Sequence, residues 1–221
     1  MAFRILHVDD ETDIREVVAI SLNLDPQLTT RSCASGEEAI AEAAAWSPDL
    51  ILCDVIMPEM DGPATLARLR QNPRTSKMPV VFMTACQQAR ELERLKSLGA
   101  IGVIAKPFDP TTLAGAVRSH LWSAKMATVA DGFRERLRAD AATLTRCRIA
   151  LANNAMSSTV LDELHSCAHK LAGAAGIFGA KRVSWAASAL EESIAERRSG
   201  ASLAGSVEED ADALLECISQ S

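Results

Sequence analysis

Tyrosine is absent from this chain, and aromatic residues of all kinds make up only 4% of its 221 residues. Alanine takes their place, which favours helices whose axes approach closely. Excess positive charge is also missing. The formal net charge is −6, and neutralising a phosphate backbone needs a basic face, so a nucleic-acid partner is not expected. No apolar run approaches the ~20 residues that a membrane span requires, so membrane insertion is not expected. The opening MAFRILHVDDE meets acids after too short an apolar run for a signal peptide. The six cysteines (Cys33, Cys53, Cys86, Cys147, Cys167, Cys217) are scattered without a CxxC pair. They read as buried thiols of a reducing cytoplasm, and a disulfide framework is not expected. Finally, HLWSAKMATVAD (120–131) contains neither proline nor glycine. A flexible tether is rich in glycine or proline, so this stretch reads as a helical, fairly stiff join.

Two grammars lie on either side of that join. In residues 1–122, apolar runs at 3–8, 28–33, 50–55, 80–85 and 101–105 alternate with amphipathic stretches such as ETDIREVVAISLNL. Strands apolar on both faces, each followed by a helix, predict a parallel sheet covered on both sides. Five such units make an α/β doubly wound, flavodoxin-like domain of strand order 2-1-3-4-5. Residues 123–131 form the helical linker, and residues 132–221 form an all-α four-helix bundle built from 134–151, 158–175, 181–198 and 206–218. Turn signals at Asn153-Asn154, Gly176–Gly179 and Ser199-Gly200 separate the helices.

Acids stand where strands end. Asp9 and Asp10 follow the first strand and Asp54 closes the third. In a 2-1-3-4-5 sheet those strands are neighbours at the topological switch point, where ligands bind at the carboxyl ends. Three gathered carboxylates repel one another unless a cation neutralises them, and an all-oxygen set suits Mg²⁺. Thr84 ends strand 4 and Lys106 ends strand 5, so both are placed to face the same crevice. A carboxylate nucleophile surrounded by a metal, an ammonium and a hydroxyl is the constellation of a phosphoryl-transfer site.

HVDDE, DVIMPEMDG, MTA and AKPF, in this order and spacing, resemble the response-regulator receiver domain over nearly all of residues 1–122. The resemblance implies that Asp54 is the phosphoacceptor, that Asp10 binds Mg²⁺ directly and Asp9 through water, and that the backbone carbonyl of Ile56 also faces the metal. It further implies that Thr84 and Lys106 hold the phosphate and that the Lys106–Pro107 bond is cis. Many receivers carry a switch aromatic three residues before the lysine; here that position is Val103.

In the second half, HSCAHKLAGAAGIFG places a histidine among alanines and glycines. At 100° per residue, Leu161, Leu164, Ala168, Leu171, Ala175 and Phe178 share one face, predicted to be the core. His169 lies well off that face and is expected to be partly exposed, with Gly173 and Gly176 on its flank. Helix-interior glycine costs roughly 1 kcal/mol relative to alanine, so two of them require a reason. HKLAGAAGIFG resembles the histidine-containing phosphotransfer domain, a four-helix bundle with one reactive histidine. That resemblance implies that His169 accepts and donates a phosphoryl group and that Gly173 and Gly176 admit a docking receiver. The family often has lysine three residues after the histidine; here Ala172 stands there, and Lys170, which joins Gly173 and Gly176 in the expected docking flank, and Lys181 are the nearby cations. A rival reading takes His165 and His169, at i and i+4, as a zinc pair, although no third ligand is evident.

These observations imply a two-component phosphorelay protein. A sensor histidine kinase upstream supplies Asp54, and His169 exchanges phosphoryl with a receiver domain, its own or that of a downstream protein. It is expected to act stoichiometrically, without an external turnover substrate. Transfer within one chain and transfer between chains of a homodimer both stay open. The alternative is a protein-binding module gated by Asp54 phosphorylation, with His169 chemically idle.

Overall fold

A computed structural model describes residues 2–86, 88–152, 158–200 and 206–220. They form two compact units, Met1–Met126 and Ala127–Ser221. The first unit contains β1 (Phe3–Val8), α1 (Thr12–Asn23), β2 (Leu28–Cys33), α2 (Gly36–Trp46), β3 (Leu50–Asp54), α3 (Gly62–Gln71), β4 (Val80–Thr84), α4 (Ala89–Ser97) and β5 (Gly102–Ala105). All five strands are parallel in the order β2-β1-β3-β4-β5.

Why both sheet faces are apolar follows from the period of two along each strand. Leu6, Val8, Ile51, Cys53, Val80 and Phe82 meet Ala39, Ala43, Leu66, Leu69 and Leu95 of α2, α3 and α4. The alternate residues Ile5, Leu50, Leu52, Val81, Met83 and Ile104 meet Val18 and Leu22 of α1 and Leu113, Val117 and Leu121 of the next helix, α5 (Pro110–Ala152). Side-chain caps start two of these helices: Ser35 accepts from the Glu38 amide and Asp61 from the Ala64 amide.

Helix α5 (Pro110–Ala152) is a single element of 43 residues, and residues 123–131 are helical within it. Proline sets its first turn, where a missing N–H costs nothing, and Asp109 Oδ1 accepts from the Thr111 amide at 2.8 Å. Gly115 and Gly132 do not break it.

In the second unit, α6 (Ser158–Ile177), α7 (Lys181–Ser199) and α8 (Val207–Ser219) complete a bundle with the last turns of α5. The core is drawn at three- and four-residue spacing: Leu137, Leu144 and Leu151 of α5; Leu164, Ala168, Leu171 and Ala175 of α6; Val183, Ala187, Leu190 and Ile194 of α7; Val207, Ala211 and Leu214 of α8. Gly179 (φ 75°) and Gly200 (φ 74°) take the left-handed conformation that ends α6 and α7. A capping box of Ser206 and Glu209 opens α8. The Asn153-Asn154 turn lies outside the described residues. One core assignment is corrected: Phe178 is 42% exposed. It falls past the end of α6, where helical periodicity no longer applies, and stacks on Phe133 with centroids 4.3 Å apart.

Candidate functional site

The crevice at the carboxyl ends of β1 and β3 gathers the three acids. Asp9, Asp10 and Asp54 each offer a carboxylate oxygen, and these oxygens lie within 4.8 Å of one another. Asp9 and Asp54 are buried, while Asp10 is exposed. Lys106, carried in from the end of β5, spans the gap: its Nζ is 2.7 Å from Asp9 Oδ2 and 2.7 Å from Asp54 Oδ1. Burial works against the Lys106 ammonium, but the two carboxylates outweigh it and hold its pKa above the ordinary lysine value. Burial likewise raises the pKa of the Asp54 carboxyl, against the pull of Lys106.

One ammonium does not balance three carboxylates. The donors are all hard oxygens, so the set fits a divalent cation such as Mg²⁺.

Thr84 is buried at the end of β4, and its hydroxyl accepts from the Cys86 amide at 3.1 Å. The Lys106 amide donates to the Thr84 carbonyl at 2.7 Å, tying the ends of β4 and β5 together. The Lys106–Pro107 bond is cis. The Ile56 amide favours the ionised form of the Asp54 carboxyl, and Ile56 is 77% exposed. Glycine is required at position 62: a Cβ there lies 2.3 Å from the backbone oxygen of Asp54.

Two site neighbours escape sequence reasoning. Arg15, in the first turns of α1, donates to the carbonyls of Asp9 and Asp10 at 2.8 and 2.9 Å. His7 is fully buried, with Nε2 3.9 Å from Asp9 Oδ2. Burial lowers its pKa to about 4, so it is neutral at physiological pH.

On α6, His169 has a side chain that is 76% exposed. Its Nδ1 lies 2.8 Å from Glu191 Oε1 of α7. An ionised carboxylate only accepts, so Nδ1 carries a proton, and in the neutral ring Nε2 is the nitrogen with the free lone pair. No signal in the sequence marks Glu191, 22 residues away on another helix; only the packing of α6 on α7 brings it there. Gly173 and Gly176 are exposed on the same flank. A Cβ at Gly173 meets nothing within 4 Å, and one at Gly176 meets Ser184 Oγ at 3.5 Å. Neither glycine is there to let another helix of the bundle approach.

Lys170 does not join that row. It sits 100° further round the helix, where its charge acts on Asp140 of α5. The His165 and His169 rings are parallel with centroids 6.4 Å apart. Among the described residues they gather no third metal ligand; the aspartate triad forms the one group of three.

Comparison with known proteins agrees with both halves. The response regulator receiver domain family matches residues 5–118, and the Hpt domain family matches residues 131–221. Response regulator Rre1 of Synechocystis sp. is 33% identical over 117 residues, covering 53% of this chain and 51% of that protein. The DNA-binding dual master transcriptional regulator RpaA of the same organism is 33% identical over 118 residues, covering 53% of this chain and 48% of its own length. This chain therefore spans about half the length of these curated relatives. Among solved structures, the chemotaxis response regulator CheY4 of Vibrio cholerae superposes with a TM-score of 0.51 at 30% identity, covering 54% of this chain and 99% of that one.

Proposed function

The chain belongs to the response regulator receiver domain family and carries an Hpt domain behind its receiver, and on that premise we propose that it is a stoichiometric phosphorelay protein with one phosphoryl site in each half. The single observation that carries the reading is the convergence of Asp9, Asp10, Asp54 and Lys106 at one sheet edge, in a chain that also presents an exposed, carboxylate-oriented His169.

In the first half, an Asp54 oxygen attacks the phosphorus of a phosphohistidine on a partner kinase. The P–N bond breaks as the O–P bond forms, and the departing nitrogen keeps the electron pair. The Lys106 ammonium, already beside Asp54, draws charge from the equatorial oxygens. Thr84, at the end of the neighbouring strand, offers its hydroxyl to the same group. Asp9, Asp10 and Asp54, with the Ile56 carbonyl, are the residues that would hold Mg²⁺, which when bound shields the approach of one anion to another.

In the second half, Nε2 of His169 is the nucleophile and Glu191 fixes its tautomer. The glycine flank leaves room for a receiver's crevice to reach the imidazole. That partner is a receiver domain, in this chain, in a second copy or in a downstream protein. The six free thiols fit a reducing, cytoplasmic setting. No helix among the described residues is long and apolar enough to cross a membrane.

The second reading, a binding module gated at Asp54, draws on Ala172, which stands where the Hpt pattern often has lysine. Intact-protein mass spectrometry with Mg²⁺ and a small acyl phosphate separates the two. Wild type, Asp54→Asn and His169→Gln are each challenged with acid and alkali. An alkali-labile adduct that needs Asp54, with an acid-labile one that needs both residues, supports the relay. A chain labelled on Asp54 alone, whose signalling in cells survives His169→Gln, supports the gated module instead.

A further inference from the structure

We propose that Arg15 is a positioning residue for the acidic cluster: by clamping the backbone of the β1–α1 loop it holds the Asp9 and Asp10 carboxylates in the register that binds the divalent cation. The inference rests on the reading of that cluster as a Mg²⁺ site.

The β1–α1 loop needs such a clamp. Glu11, at the N-cap of α1, makes no capping bond with its side chain. Arg15 folds back from the next turn instead. Its Nη1 donates to the Asp9 carbonyl at 2.8 Å and to the Asp10 carbonyl at 2.9 Å, and its Nη2 donates to Thr12 Oγ1 at 3.0 Å. One planar group thereby fixes two successive peptide units and the first residue of the helix.

The two carboxylates depend on this clamp unequally. Asp9 has its own fixings, because Oδ1 accepts from the Glu11 amide at 3.0 Å and Oδ2 from Lys106 at 2.7 Å. The exposed Asp10 carboxylate has no hydrogen bond or ion pair among the described residues, so its placement starts from its backbone, which Arg15 holds at the Asp10 carbonyl. Groups that orient a metal ligand from behind typically change affinity 10- to 100-fold when removed.

Charge and positioning predict opposite signs here, which makes the inference decidable. A guanidinium seated on the carbonyls of Asp9 and Asp10 brings positive charge near the acidic cluster and repels Mg²⁺, so if Arg15 acted through its charge alone, its removal would tighten metal binding. If it acts by positioning, removal weakens binding despite the relief of repulsion.

The experiment titrates Mg²⁺ into the full-length chain by isothermal calorimetry and by melting temperature, for wild type, Arg15→Met, Arg15→Lys and Asp10→Asn. The Arg15→Met half-saturation should rise about tenfold. Arg15→Lys should recover part of the loss, since one ammonium reaches one carbonyl. Phosphoryl uptake from an acyl phosphate should return to near the wild-type rate once Mg²⁺ saturates. Unchanged or tighter binding in Arg15→Met overturns the proposal, as does a lower metal-free melting temperature with an unmoved half-saturation. If Arg15→Met does not fold, Arg15→Lys decides by the same criteria. A wild-type chain that binds no Mg²⁺, or an Asp10→Asn chain that binds it equally well, overturns the metal site itself and this inference with it.

Discussion

Replacing Gly173 should move stability and phosphoryl transfer in opposite directions. The residue sits inside α6 with ordinary helical dihedrals, four positions after His169, and a Cβ added there meets nothing within 4 Å. Gly173→Ala therefore removes the entropic cost of a helix-interior glycine without a clash, a gain of about 0.5–1 kcal/mol. In a unit the size of Ala127–Ser221, that gain raises the melting temperature by roughly 2–8 °C. Gly173→Arg should keep most of it, because arginine ranks just below alanine in helix propensity. A side chain of that length one turn from the imidazole also occupies the volume a docking receiver must enter. Transfer between His169 and a receiver aspartate should then slow by tenfold or more in Gly173→Arg and by much less in Gly173→Ala. The assay pairs thermal denaturation with stopped-time quantification of acid-labile phosphate. A destabilised Gly173→Ala would refute the open flank read from the structure. A Gly173→Arg chain that transfers at the wild-type rate would refute the docking role of the glycines.

Other perturbations reach the remaining parts of the site. Glu191→Ala should slow transfer through His169 about tenfold, the worth of one orienting hydrogen bond, while Glu191→Gln, which keeps an acceptor, should lose less; equal rates in all three would sink the orienting role. Gly62→Ala drives a methyl to 2.3 Å from the backbone oxygen of Asp54, an atom that cannot step aside, and should cost several kcal/mol in urea denaturation; a change below about 1 kcal/mol would contradict the packing described. His120 lies against Gly102, and burial lowers its pKa. The unfolded chain then takes up a proton, as pH falls below about 6.5, that the folded chain resists, so the stability His120 contributes is present above that pH and is lost below it. His120→Leu should flatten that limb, so that its stability relative to wild type rises between pH 7.5 and 5.5; a pH-independent difference would count against the assignment.

Residues that repeat a local period, or stand at strand ends, were readable in advance. The five strands, their order and the cluster of Asp9, Asp10, Asp54 and Lys106 follow from alternation and from the topological switch point. The exposure of His169 follows from helical angle alone. What stayed hidden depends on tertiary contact or on where an element ends. Phe178 falls on the core face of α6 by angle, yet the helix stops one residue before it. α5 runs through Gly115 and Gly132, because a lone glycine costs a long helix only about 1 kcal/mol. Glu191 and Arg15 carry no motif; each acquires its role from a side chain reaching back across the fold.

If His169 and a receiver carboxylate are chemically matched partners, phosphoryl passes between them when two singly competent chains are mixed. An Asp54→Asn chain is loaded on His169 with phosphoramidate, freed of donor and mixed with an unlabelled His169→Gln chain and Mg²⁺. Intact-mass spectra then follow both chains over time. An acid-labile adduct should disappear from the first chain as an alkali-labile one grows on the second, faster than phosphohistidine decays alone. A His169 that takes no label, or a label that decays at the same rate with and without the acceptor chain, would contradict it.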